Sequence, residues 1–104
     1  MIELNDKNFK EEIAKNDIIL VDFWADWCVP CKMLEPTLIR LESCIQIGKV
    51  DIDLNMDLST QFSIKGVPTM LIFKNGELVK RYTGVQPYSV VKSFIDSIKQ
   101  PKTT

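Results

Sequence analysis

The sequence predicts an α/β fold, with a central mixed β-sheet flanked by helices on both faces. Three observations carry this. Ile18-Ile19-Leu20-Val21-Asp22-Phe23-Trp24 is a near-continuous apolar run, which suits a strand buried on both sheet faces. Leu34, Leu38, Leu41 and Ile45 then repeat at one-face helical spacing. Later, two strand-like segments, Thr69 to Lys74 and Glu77 to Thr83, are joined by Asn75-Gly76, a strong hairpin signal.

Taken in order, Leu4 closes a short first strand. Asn5 or Asp6 is placed to N-cap a helix over 7–15, with Phe9 and Ile13 on one face. The buried strand 18–24 follows, then a helix over 30–44, kinked at Pro36 because proline removes a backbone donor. Ile45 to Asp53 reads as a strand and residues 57–63 as a short helix. After the hairpin, Pro87 opens a last helix with Val91, Phe94, Ile95 and Ile98 facing inward; Pro101 ends it, and the residues beyond are expected to fray. The order is β-α-β-α-β-α-β-β-α, one domain over residues 1–104, with no repeat or linker.

Composition narrows the function. The chain is 45% hydrophobic and 26% charged, ordinary for a globular protein, and its net charge is −1, so no basic excess exists to neutralise nucleic-acid phosphates. No apolar run is long enough to span a membrane. The start, Met1-Ile2-Glu3-Leu4, lacks the pattern of a secretory signal, so a cytoplasmic protein is expected. There are 3 cysteines and no histidine, which argues against a structural disulfide framework and removes His-based zinc sets and Cys-His nucleophiles.

Cys28-Val29-Pro30-Cys31 stands where the buried strand hands over to the helix. Two intervening residues wound into a first turn bring the sulfurs within disulfide reach. The first sulfur should be the accessible one and the second more sheltered. Free N–H groups and the helix dipole stabilise a thiolate there, lowering the pKa of Cys28. Cys28 would attack a partner's disulfide, and Cys31 would resolve the mixed disulfide. The competing reading is half of a metal site. Zinc usually takes four ligands, and one further cysteine without any histidine cannot complete a set without a carboxylate or a second chain.

Asp22 interrupts the apolar strand six residues before Cys28. Burial there should raise its pKa and fit it to take a proton from Cys31. Trp27, beside the nucleophile, is expected on the docking surface, with Trp24 supporting the loop. Cys44 reads as a buried, unreactive core cysteine.

The run from Val21 through Trp27-Cys28-Val29-Pro30-Cys31-Lys32 resembles the active-site segment of the thioredoxin family. Gly66-Val67-Pro68-Thr69 and Phe73-Lys74-Asn75-Gly76-Glu77 resemble its downstream motifs, so the likeness covers the chain in order. It implies the thioredoxin fold and a protein-disulfide reductase. It implies that Lys49 pairs with Asp22, and that Pro68 is cis opposite the cysteines. It further implies that Val67, Pro68 and Gly84 join Trp27 and Pro30 in contacting substrate. The implied partners are disulfide-containing proteins and a thioredoxin reductase that recharges the pair. No cofactor beyond the Cys28/Cys31 disulfide, no metal, no nucleic acid and no membrane are expected, and the protein should be a monomer.

The chain departs from the family at Val29, where glycine is usual, and in the 12 residues between Pro36 and Lys49, which suggest a shortened helix or loop. An oxidase or isomerase would be the alternative redox role, but Val29 is not the histidine that favours an oxidising poise. A glutaredoxin fits Trp27-Cys28 and Asp22 less well. A non-catalytic binding module would not need both cysteines.

Overall fold

A computed structural model describes residues 1–99. Strands β1 (Ile2–Leu4), β2 (Ile18–Trp24), β3 (Gln46–Asp51), β4 (Thr69–Lys74) and β5 (Glu77–Thr83) form one sheet in the order β1-β3-β2-β4-β5. Helices α1 (Phe9–Lys15), α2 (Val29–Leu41), α3 (Met56–Gln61) and α4 (Tyr88–Lys99) connect or follow them. β1, β3 and β2 run parallel, whereas β4 is antiparallel to β2 and β5 to β4. The expected element order and the mixed sheet are both present. The stop at Pro101 and the frayed residues beyond it lie outside the described residues.

Alternation along β2 divides the core in two. Leu20 faces α2 and α4 and packs with Leu34, Leu38, Leu41, Ile72 and Ile95. Ile19, Val21 and Phe23 face the other way, onto Phe9 and Ile13 of α1 and Leu58 of α3. Each fully buried leucine contributes about 1.5–3 kcal/mol relative to exposure, so the stripe on α2 fixes that helix firmly across the sheet. Asp22 falls on the α2 side of β2, between Lys49 of β3 and Met70 of β4. The β4–β5 turn takes the form its dipeptide requires: Asn75 and Gly76 have φ of 51° and 83°.

Several boundaries differ from expectation for local reasons. α2 begins at Val29 and runs through Pro36, but ends at Leu41 rather than residue 44. The N–H groups of Cys44 and Ile45 both donate to the Leu41 carbonyl, closing a tight turn before β3. Cys44 is therefore off the helix face and only partly buried, at the edge of the α2–α4 core, with Sγ bonded to the Leu41 carbonyl at 3.2 Å. β3 stops at Asp51, where Asp51 Oδ1 accepts from the Asp53 N–H and turns the chain. α3 starts and ends earlier than residues 57–63, and Ser63 at φ 52° breaks the backbone after it.

The expected cap of α1 divides between two tasks. Asn5 Oδ1 accepts from the N–H groups of Lys7 and Asn8, and Asn8 Oδ1 accepts from Asn5 N–H, so Asn5 organises the turn before α1. Asp6 instead serves α3, accepting from Leu58 N–H at 3.1 Å while its own N–H donates to Asn55 Oδ1. Among the described residues no helix is long and apolar enough to cross a membrane.

Candidate active site

The site forms where β2 ends and α2 begins. Ala25 O accepts from Cys28 N–H at 3.1 Å, turning the chain so that Cys28, in extended conformation, becomes the N-cap of α2. Cys28 Sγ accepts from Cys31 N–H at 3.1 Å. That contact is the sulfur analogue of an oxygen N-cap, and it aims a helix donor at the atom that would bear a thiolate charge. Pro30, in the first turn, has no donor of its own. Cys28 and Cys31 are joined as a disulfide, with Cα atoms 5.3 Å apart.

The expected contrast in exposure between the two cysteines is absent from this closed form. Cys28 is 3% exposed and Cys31 5%. Ala25, Trp24, Ile52 and Val67 pack around both. What distinguishes them is direction. Cys28 Sγ lies 3.6 Å from the Val67 carbonyl, beneath a surface carrying exposed Trp27 and Val29. Cys31 lines a cavity of about 350 Å³ with Trp24, Lys32, Glu35 and Lys49.

Trp27 is exposed as expected, and its Nε1 donates to Asp53 Oδ2 at 2.9 Å, which ties the indole to the turn after β3. The Val67–Pro68 peptide is cis. The Pro68 carbonyl accepts from Gly84 N–H at 2.8 Å, and Gly84 has φ 83°, a backbone position that favours glycine. Val67, Pro68 and Gly84 thus form one continuous edge beside Cys28.

Asp22 is fully buried, and neither carboxylate oxygen has a hydrogen-bond partner. Burial pushes its pKa up to about 7; Lys49 pulls it down and Glu35 pushes it up by smaller amounts. The direct Asp22–Lys49 pair expected from sequence is not formed. Lys49 lies beside Asp22 in strand register, but its Nζ bonds Glu35 Oε2 at 2.8 Å and sits 5.0 Å from the Trp24 ring centre. A half-exposed carboxylate on α2 offers the ammonium a partner without full desolvation, which buried Asp22 cannot.

Two residues join the site without having been singled out in the sequence, Glu35 and Asp53. Glu35 was readable in principle: it stands four residues after Cys31 on a helix, hence on the same face. Asp53 had no local signal, because its contact with Trp27 depends on how two loops meet.

The thioredoxin family model matches residues 1–97. A thioredoxin of Rickettsia bellii is 44% identical over 99 residues, covering 90% of this chain and 94% of that one. The thioredoxin of Porphyra purpurea is 37% identical over 99 residues, with 90% and 92% covered. Among solved structures, an asparagine-to-glutamine variant of thioredoxin from Halobacterium salinarum superposes with a TM-score of 0.91 at 32% identity, covering 98% of this chain and 93% of that one. Thioredoxin f2 of Chlamydomonas reinhardtii gives 0.86 at 28% identity, covering 98% and 99%.

Proposed function

The chain belongs to the thioredoxin family, and from that premise we propose how its reaction is divided among its residues. It is a thiol–disulfide oxidoreductase that reduces disulfides in partner proteins and is recycled by a reductase. The observation that carries the division of labour is the N–H of Cys31 aimed at Cys28 Sγ at the start of α2.

In the reduced protein, Cys28 is the nucleophile. Its thiolate is favoured by the helix N-terminus and attacks one sulfur of a partner disulfide. The partner's other sulfur leaves as a thiolate, and a mixed disulfide links Cys28 to the partner. Asp22, ionised at that moment, takes the proton of the Cys31 thiol. The Cys31 thiolate attacks Cys28 Sγ, the partner's second sulfur leaves, and the Cys28–Cys31 disulfide closes. Two electrons have passed to the partner, and the closed product is the state described above. A thioredoxin reductase would return both electrons.

Substrate would lie in extended form along Val67 and Pro68, pairing with backbone next to Cys28, with Trp27, Pro30 and Gly84 flanking it. Lys49 influences Asp22 through space. The dithiol is the sole redox group we assign, with no metal or further cofactor, and we take the protein to be a cytoplasmic monomer of one domain.

The test is a trap. Cys31→Ser should accumulate a stable mixed disulfide with a disulfide-bonded peptide through Cys28. Cys28→Ser should form none. A trap that forms equally on either cysteine would reverse the assignment.

A further inference from the structure

We infer that Glu35 is a positioning residue for the resolving half of the reaction: by holding the Lys49 ammonium at α2, it keeps that charge from settling on the Asp22 carboxyl. The inference rests on the reading of Asp22 as the proton acceptor for Cys31.

The geometry is specific. Asp22 and Lys49 are register partners on adjacent parallel strands, about 5 Å apart in backbone and projecting to the same side. A flexible four-carbon lysine so placed could fold onto the carboxylate. Instead Nζ is 2.8 Å from Glu35 Oε2 and rests over Trp24, while both Asp22 oxygens stay without a partner. The groups facing Asp22 are few. β3 presents Lys49 and α2 presents Glu35, the two charged groups that act on it. β4 presents Met70, which does not titrate, and α4 contributes apolar Val91 and Ile95 to this side of the core. Glu35, Lys49 and Cys31 line one cavity, so the carboxylate that holds the lysine sits beside the thiol that must lose its proton.

The chemical consequence concerns base strength. An ammonium in contact with Asp22 would favour its ionised form and make it a poorer proton acceptor. Glu35 both removes that contact and adds its own negative charge, and the two effects act in the same direction.

The experiment is a carboxyl-carbon NMR titration of Asp22 in the reduced protein, run beside the pH profile of Cys31 attack on a preformed mixed disulfide with a peptide. In Glu35→Gln the Asp22 midpoint should fall by about one pH unit, the size expected when an opposite charge comes into contact. Lys49→Met should raise the midpoint by clearly more in the Glu35→Gln background than in wild type, because only there does the ammonium contact Asp22. An unchanged midpoint in Glu35→Gln would overturn the inference. So would equal rises on Lys49→Met in the two backgrounds, since Glu35 would then act by its own charge alone. If the midpoint moves as expected but the pH profile does not follow it, the hold on Lys49 stands and the reading of Asp22 as proton acceptor fails.

Discussion

Replacing Asp22 by Asn should change stability by an amount that depends on pH. Asp22 is fully buried with neither oxygen bonded, and its pKa is raised from 3.8 to about 7 by burial. In the unfolded chain it ionises near the ordinary value. Between those two values the folded protein holds a proton that the unfolded chain has released, so stability falls as pH rises. The contribution is fully present below about pH 4 and gone above about pH 7. About three pH units at about 1.4 kcal/mol each give a span of about 4 kcal/mol. Asparagine matches the shape and carries no titrating proton. Its own unpaired amide costs about 1–3 kcal/mol, but equally at every pH. The assay is urea unfolding of the oxidised protein and of Asp22→Asn across this range. The stability of the variant relative to wild type should rise by about 4 kcal/mol between about pH 4 and pH 8, then level off. A difference constant across that range would refute the claim that burial raises the Asp22 pKa to about 7.

Other outcomes follow from the packing. Leu38→Ala empties a fully buried position between α2 and the sheet and should cost about 2–5 kcal/mol in denaturant unfolding. Gly48→Ala places a methyl against Leu4 at the β1–β3 contact, and a loss of about 1–3 kcal/mol is expected in the same assay. Gly84→Ala forces a side chain onto a backbone at φ 83°, which should cost about 1–2 kcal/mol and weaken peptide binding beside Pro68, measured by calorimetry. Trp27→Phe removes the bond to exposed Asp53 while keeping an aromatic surface; KM for a disulfide peptide should rise with little change in stability.

The legible part of this molecule was the part encoded by periodicity and composition. The run 18–24 declared itself a central strand, and Asp22 stood out because a carboxylate in such a run needs a reason. Asn75-Gly76 carried its turn in two residues. The cysteine pair was legible from spacing and from the absence of histidine. Less was legible wherever two elements compete for one group. Lys49 has two carboxylates within reach, and it pairs with Glu35 because that carboxylate is only half buried, which no local pattern reports. Asp6 looked like a cap for the helix that follows it, yet it caps α3 across space. The burial of both cysteines depends on Val67 and Ile52, which come from separate loops, so no local pattern could report it.

The most direct measurement is the reduction potential of the Cys28–Cys31 pair, in graded glutathione buffers with Cys44→Ser to remove the third thiol. A protein-disulfide reductase should poise below the cytosolic glutathione couple, at less than about −240 mV. A value above about −240 mV would contradict that account, and would direct attention to Val29, the exposed residue that stands beside the nucleophile where the family usually has glycine.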